Sequence, residues 1–325
     1  MFNKYRKKII FSVVFGAFVF LGLSIYANFN ELLVAFDEFN WLLFPLILTC
    51  AFCNYIARFF KWNYYTKVLD IKIPVKLSFT IFLSSFIMAV TPGKVGEVFK
   101  SYLLKEQVGT PISKSAPIVV AERITDFLSL ILLSIIGAVT FNYGIELIIS
   151  IGILFILLIV IISSKKISYG IIGLLERFKY VSGISHKIHS AYDSIYKMVH
   201  LKELLYALLL SVIAWFFECF AFFIVVNSFG IANIVHIDIF VATFIYGFAT
   251  IAGAVTMLPG GLGVTDASIP FLLILLMNVP KNISVASSLI IRVATLWFAV
   301  FVGIIAILIY QKNVHKKLSE IALNL

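Results

Sequence analysis

Long, nearly uninterrupted runs of hydrophobic residues make up most of the chain. Seven of them reach the roughly twenty residues that a helix needs to cross the hydrocarbon core of a bilayer. These runs are Ile9–Ala27, Trp41–Phe60, Ala116–Ala138, Ile145–Ile162, Leu204–Val226, Ile239–Met257 and Ser284–Tyr310. Two others, Leu77–Val90 and Ala267–Met277, are apolar but shorter. The pattern predicts an all-α, polytopic helical membrane protein with about seven full spans and two short or re-entrant helices.

The first run follows a cluster of basic residues, an arrangement also typical of a secretory signal peptide. The run is longer than a usual signal core, and the bulky Ile25 and Tyr26 suit cleavage after Ala27 poorly. We therefore expect a membrane span here.

The composition leaves no room for a soluble catalytic domain. Of 325 residues, 62% are hydrophobic and only 13% are charged, and the mean hydropathy is +1.06. These values lie far outside those of water-soluble domains.

The formal net charge of +10 is unevenly distributed. Basic residues lie before the first run, between Lys61 and Lys76, in 163–202 and in the tail, whereas 28–40, 141–146 and 228–238 contain no Lys or Arg. The positive-inside rule then predicts a cell-membrane protein with both termini in the cytoplasm. Anionic membrane lipid explains the charge more simply than nucleic acid does.

A polar, amphipathic stretch divides this single membrane domain, 1–325, into two halves. The first half is 1–162 and the second is 203–311, followed by a basic tail, 312–325. The stretch between them, 163–202, is predicted to be a cytoplasmic linker that lies on the membrane.

The two halves share a P-G-x-x-G motif that follows an Ala-Val-Thr sequence near the end of an apolar run. An arginine lies 31 residues after the proline in the first half (Arg123) and 33 residues after it in the second (Arg292). The motif residues are Pro92, Gly93, Lys94 and Gly96 in the first half and Pro259, Gly260, Gly261 and Gly263 in the second. The halves therefore form an internal repeat.

Each motif predicts a break in a membrane helix, at 91–97 and at 258–266. The loop charges place the two copies in opposite orientations, and inverted repeats with broken helices are typical of secondary transporters. Backbone that is not helical needs protein or water around it inside a membrane, so the breaks predict a polar cavity. Helix starts at that cavity favour an anion such as a lipid phosphate. The alternative is that both motifs form ordinary surface turns.

One predicted span carries Glu122, Arg123 and Asp126. Spacings of three and four residues allow them to share a helix face and to pair. Charges near the centre of a bilayer are costly unless they are paired or hydrated, which indicates a polar core or a substrate pathway. The alternative is that the cluster lies near the cytoplasmic end of the span and reaches water there.

Further charged residues lie in or beside the spans of both halves. Glu218 and Arg292 are isolated among apolar residues, so their partners must come from other helices. We expect Arg292 to bind a carboxylate or a lipid phosphate, and a structural pair such as Glu218 with Arg292 is the alternative. Glu97 and Asp266 follow the two breaks, where a carboxylate either caps a helix start or contacts substrate or a proton.

No cofactor, metal site or catalytic residue is predicted. Cys50, Cys53 and Cys219 lie within apolar helices, the five histidines lack the spacing of metal ligands, and no phosphate-binding loop motif is present.

Four segments carry a resemblance to a known family: Thr91–Glu97, Ala121–Asp126, Leu258–Ser268 and Leu289–Arg292. They are similar to the lysylphosphatidylglycerol synthase transmembrane-region family, which includes the flippase-like part of the multiple peptide resistance factor. The resemblance implies lipid translocation. It also implies that the substrate is bound by the polar residues at matching motif positions, which are Glu97, Glu122, Arg123, Asp126, Asp266 and Arg292. Two differences are that the family usually has Glu where Asp266 stands, and that no aminoacyltransferase domain follows Leu325. Lysine transfer by this polypeptide is therefore not expected.

The favoured hypothesis is a flippase that moves an anionic phospholipid or a polyprenyl-phosphate-linked lipid between leaflets. An intramembrane transferase with Asp126 or Glu122 as base is the second reading. A scaffold for cell-envelope biosynthesis enzymes is the third. The expected partners are the bilayer and a lipid with an anionic head group, and self-association or association with envelope enzymes stays open.

Overall fold

All regular structure in the described residues, 2–91, 96–178, 183–230 and 237–323 of this computed structural model, is helical. The helices of the first half are α1 (Phe2–Ala27), α2 (Phe29–Glu38), α3 (Phe44–Val68), α4 (Val75–Ser84), α5 (Phe99–Val108), α6 (Ile112–Ser115), α7 (Pro117–Phe141) and α8 (Ile145–Ser163). The linker forms α9 (Lys165–Leu175) and α10 (Ser185–Met198). The second half forms α11 (Leu201–Val226), α12 (Ile239–Val255), α13 (Val264–Met277), α14 (Lys281–Arg292) and α15 (Phe298–Leu323). Short 3-10 turns lie at Trp41–Leu43, Ser85–Met88 and Pro259–Gly261, and a π-helical turn, Val293–Trp297, joins α14 to α15.

Six stretches of the described chain are long and apolar enough to cross a membrane, and α1 with α2 would make a seventh if they count as one bent span. The six are Trp41–Val68, Ile112–Phe141, Ile145–Ser163, Leu201–Val226, Pro259–Met277 and Lys281–Lys312. The predicted all-α polytopic membrane architecture is therefore confirmed.

Two elements beside the second break differ from the prediction. Helix α12 has 17 residues, Ile239–Val255, so the predicted full span Ile239–Met257 is a short one. The predicted short helix Ala267–Met277 instead belongs to the 19-residue stretch Pro259–Met277. The reason is that the break forms a 3-10 turn, Pro259–Gly261, with a non-helical conformation at Gly260, and this turn leads into α13.

The predicted outer loop 28–40 contains a helix. Asn28 has φ of 68° and its side chain accepts a hydrogen bond from the backbone N–H of Asn30, which caps α2. The chain turns by 94° at this point. Leu32 and Ala35 on one face of α2 are buried, so α2 packs onto the helical core and does not extend α1.

The packing of the halves follows the sequence repeat. Helix α3 packs most extensively against α11, which is its counterpart in the second half. Two further contacts join the halves, and we call them the exchanged contacts. Helix α12 of the second half packs on α7 of the first half, and helix α4 of the first half packs on α15 of the second half. These exchanged contacts place the helices after the two breaks in equivalent surroundings. The orientation of the halves across the bilayer stays a prediction.

The described parts of the linker form two helices, and α10 packs against the first half. Helix α10 contacts α6 and α7, and Tyr169 on α9 donates a hydrogen bond to Asp193 on α10 over 2.9 Å. Ser185 and His189 both contact the carboxylate of Glu176. The location of this linker on the membrane surface stays a prediction.

Candidate functional site

Helix α7 positions the charged cluster of the first half. Pro117 stands at its first turn, where a missing backbone N–H costs nothing, and the whole helix has 25 residues. Glu122 and Asp126 are buried on one face, and Arg123 bonds Asp126 over 3.0 Å. The predicted pairing at a spacing of three residues is confirmed.

The carboxylate of Asp126 also binds two cations from α3. Lys61 Nζ donates to Oδ1 over 2.6 Å, and Arg58 Nη2 donates to Oδ2 over 3.0 Å. Lys61 is completely buried and donates further hydrogen bonds to Thr125 and Ser211. A charge as deeply buried as this is tolerable only because it is paired and fully hydrogen-bonded.

A second buried pair lies beside the first. Lys100 of α5 binds the carboxylate of Glu122, and both side chains are almost fully buried. The ammonium of Lys100 lies 4.7 Å from the ring centroid of Trp62 and 5.7 Å from that of Phe82. The aromatic faces add cation–π attraction to the ion pair.

The first break is tied to α7 by its own carboxylate. Glu97 follows the break and its Oε2 accepts a hydrogen bond from Arg123 Nη2 over 3.2 Å. Thr91 precedes the break and its hydroxyl accepts a hydrogen bond from the backbone N–H of Gly96 over 2.9 Å. A Cβ at Gly96 would lie only 2.5 Å from that hydroxyl oxygen, so this position requires glycine.

The second break is held by Asp266 and Arg292. Asp266 Oδ1 accepts from Arg292 Nε over 2.8 Å, and Oδ2 accepts from the backbone N–H of Gly263 over 2.8 Å. Arg292 Nη2 also donates to the carbonyl oxygen of Gly260 over 2.6 Å. Gly260, Gly261 and Gly263 all have positive φ, which explains the glycines of the motif. Asp266 therefore both caps α13 and binds the arginine.

Each break has an ion pair between a carboxylate and an arginine, and the two residues of the pair are equally far apart in the sequence in both halves. Glu97 and Arg123 are 26 residues apart, and so are Asp266 and Arg292. In both halves the carboxylate lies just after the break and the arginine lies on the next long span. The repeat found in the sequence is therefore also a repeat of side-chain contacts.

Glu218 lies in the interface between the halves. Its carboxylate accepts a hydrogen bond from Tyr246 of α12 over 2.8 Å, and both residues are buried. The expected pairing of Arg292 with a carboxylate of another helix is confirmed, but the partner is Asp266, so the suggested pair of Glu218 with Arg292 is wrong. Nearby, Tyr55 of α3 donates to the carbonyl of Thr295, three residues after Arg292, over 3.0 Å. Packed polar side chains therefore lie where a cavity between the halves is predicted.

Comparison with known proteins bears on these geometries. The family described as the lysylphosphatidylglycerol synthase TM region matches residues 9–303. The chain belongs to this family. A UPF0104 membrane protein of Methanothermobacter thermautotrophicus is similar, with 25% identity over 286 residues, which cover 80% of this chain and 83% of the relative. Another, from Methanocaldococcus jannaschii, is 25% identical over 237 residues, 71% of this chain and 97% of the relative.

Most of the predicted site residues of this family member can be placed. Glu122, Arg123 and Asp126 are brought together with Glu97, whereas Asp266 and Arg292 form a separate pair at the second break with Pro259 and its glycines. Pro92, Gly93 and Lys94 lie outside the described residues, so their role stays a prediction.

Three residues of the cluster, Arg58, Lys61 and Lys100, are not among the predicted site residues. Lys61 was read as part of a basic cytoplasmic loop, which is wrong, because α3 continues to Val68 and buries it. The available signal was a spacing of three residues between Arg58 and Lys61, which places both on one helix face.

Proposed function

We propose that this protein is a flippase, or a closely related transporter, for a lipid whose head group carries an anionic phosphate. The substrate is an anionic phospholipid or a polyprenyl-phosphate-linked lipid. The head group crosses through the polar interior between the two halves, and the acyl or prenyl tails stay in the bilayer.

The observation that carries this proposal is the repeated pair of a carboxylate and an arginine beside each break. A repeat that served only to build a helical bundle could use apolar side chains at these positions. Buried ion pairs are often no more stabilising than apolar residues of similar size, so their duplication needs another reason. Transport gives one, because intramembrane charges that face the interior of a helix bundle usually mark a substrate or ion pathway.

In the proposed mechanism, the arginines beside the two breaks exchange their carboxylate partners for the phosphate of the lipid. Arg123 and Arg292, together with Lys94, bind the phosphate in the two halves in turn, because a guanidinium matches phosphate oxygens in two-pronged fashion. Glu97 and Asp266 bind the arginines when no substrate is present, so that neither cation is left unpaired. Glu122, Asp126 and Glu218 tune the field along the path or carry coupling protons.

The proposed location is the cell membrane, with both termini and the linker in the cytoplasm. The distribution of basic residues over the loops supports this orientation. Cysteine labelling of single-cysteine variants in the linker and in 28–40 would test it, and labelling of both from the same side would contradict it.

The test of transport is a leaflet-exchange assay in vesicles that contain the purified protein. Fluorescent phosphatidylglycerol, a fluorescent polyprenyl phosphate and fluorescent phosphatidylcholine are compared, with chemical quenching of the outer leaflet as the readout. We expect faster exchange of at least one anionic lipid than in protein-free vesicles, and loss of that exchange in Arg123→Gln. Arg177→Gln, at an exposed arginine of the linker, is the matched control and should retain exchange.

The alternatives give different outcomes in the same experiment. A covalently altered lipid, detected by mass spectrometry, would indicate a transferase. Absence of exchange for every anionic lipid, together with an unchanged cellular phenotype in Arg123→Gln, would indicate a scaffold. For Arg292, the charge-retaining Arg292→Lys is the companion variant if Arg292→Gln does not fold.

A further inference from the structure

The carboxylate of Asp126 is surrounded by three cations from two helices. Lys61 lies 2.6 Å from one carboxylate oxygen, and Arg58 and Arg123 each lie 3.0 Å from the other. Proteins commonly use a convergence of guanidinium and ammonium groups of this kind to bind a phosphate. In this structure a carboxylate of the protein itself occupies that position.

The cluster lies among further charged side chains. Asp126 and Glu97 are the carboxylates that contact the three cations, and Lys100 beside them pairs with Glu122. Glu218 accepts a hydrogen bond from Tyr246 and is close enough to act electrostatically on Arg58. A phosphate that replaced Asp126 among the three cations would be paired as that carboxylate is now, so the exchange would leave no buried cation without a partner.

The cluster is also accessible on one side. The side chain of Arg123 is 21% exposed, although that of Asp126 is only 4% exposed. Arg123 Nε is buried and has no hydrogen-bond partner among the described residues. Arg58 lies 5.8 Å from the ring centroid of Trp215, so an aromatic face borders the other side of the cluster. A ligand can therefore approach the cluster along the partly exposed side chain of Arg123.

We propose that Arg58, Lys61 and Arg123 form the binding site for a lipid phosphodiester, and that Asp126 occupies this site when no lipid is bound. A phosphodiester carries a single negative charge, as the carboxylate of Asp126 does, and its two free oxygens match the two guanidinium groups. Lipid binding displaces Asp126 from both arginines, whereas Lys61 stays in place because Ser211 holds it. This inference rests on the proposed lipid transport and adds the residues that bind the phosphate.

The test is a binding titration of the full-length protein in detergent with dihexanoyl phosphatidylglycerol, followed by tryptophan fluorescence and native mass spectrometry. We expect Arg58→Gln to weaken binding by about tenfold or more, because it removes a charge-assisted hydrogen bond. Asp126→Asn should tighten binding, because it removes the competing anion. Lys67→Gln, at an exposed lysine on the same helix, is the matched control and should leave binding unchanged.

The opposite effects of Arg58→Gln and Asp126→Asn separate a binding site from a purely structural cluster. Equal weakening by both variants would contradict the proposal, as would equally tight binding of dihexanoylglycerol, which lacks the phosphate. Equally tight binding of inorganic phosphate would contradict a lipid ligand. If Arg58→Gln does not fold, Arg58→Lys is measured in its place. We expect its affinity for dihexanoyl phosphatidylglycerol to lie between that of the wild type and that of Lys61→Gln.

Failure of this site and failure of the transport proposal are distinguishable. Leaflet exchange by the wild type with unaltered binding in Arg58→Gln would overturn the site and leave transport standing. Phosphatidylglycerol binding with the expected variant effects, but without leaflet exchange, would keep the site and overturn transport.

Discussion

The arginines beside the two breaks have different surroundings. Arg123 binds Glu97 and also Asp126, to which Lys61 and Arg58 bind as well, and it remains partly exposed. In the second half, the carboxylate of Asp266 binds only Arg292 and a backbone N–H among the described residues. A site with several cations can release one to a ligand and still neutralise its carboxylate. A site with a single cation cannot. The first half is therefore suited to exchange partners, and the second to hold its break rigidly in this state.

The largest expected effect comes from Arg292→Gln. This change leaves the fully buried carboxylate of Asp266 without a cation and the carbonyl of Gly260 without its donor. We expect the free energy of unfolding to fall by about 3–5 kcal/mol, as for other broken buried pairs. Thermal unfolding in detergent would measure it.

The control for this prediction removes the carboxylate as well. Asp266→Asn combined with Arg292→Gln should recover much of the lost stability, because no unpaired charge remains. Arg177→Gln should not change it. A loss in Arg292→Gln no larger than that in Arg177→Gln would show that the second pair contributes little to the fold.

A smaller loss of stability is expected when glycines in the two exchanged contacts are replaced by alanine. A Cβ at Gly303 on α15 would lie 2.3 Å from the backbone nitrogen of Ile87, whereas at Gly247 on α12 it would lie 2.2 Å from the hydroxyl of Ser134. Backbone cannot move aside as a side-chain hydroxyl can. Gly303→Ala should therefore destabilise the protein by about 1–3 kcal/mol and Gly247→Ala by less.

Thermal unfolding compares the two glycine variants with Gly22→Ala, where a Cβ would meet no atom within 4 Å. Equal losses in Gly303→Ala and Gly247→Ala would mean that the contact of the 3-10 turn Ser85–Met88 with α15 is no tighter than that of α7 with α12.

Arg123→Gln is the counterpart of Arg292→Gln and should change stability less, by about 1 kcal/mol, because the pair is partly exposed and Asp126 keeps two other cations. Leaflet exchange, in contrast, should be lost. Stability and leaflet exchange should be measured on the same preparation of Arg123→Gln. A loss of stability as large as that of Arg292→Gln would contradict the difference between the two breaks.

The smallest effect concerns the exposed carboxylate of the linker. The hydroxyl of Ser185, and then the imidazole of His189, hold the pKa of Glu176 below its usual value. A carboxylate with a lowered pKa in the folded state stabilises the fold above its unfolded pKa, about 4.3, and this contribution disappears as the pH falls through the folded value. The difference in thermal stability between wild type and Glu176→Gln should therefore shrink as the pH is lowered below about 5.

Hydropathy alone was sufficient to predict most of the spans, since about twenty consecutive apolar residues have few stable conformations outside a membrane helix. The spacing of Arg123 and Asp126 likewise predicted their contact, because residues three apart are neighbours on any helix. The glycines of the second motif predicted a break in the helix, and they have positive φ in the structure. Each of these features depends on residues that are close together in the chain.

The sequence by itself thus determined the membrane character, the repeat and the residues that flank its breaks. Only the tertiary structure decided that Arg58 and Lys61 bind Asp126, that Lys61 is buried, and that Arg292 pairs with Asp266 and not with Glu218. The physical reason is that a charge inside a bilayer must find a partner on whichever helix lies opposite. That neighbour is set by helix packing across the two halves, which no local pattern in the chain records.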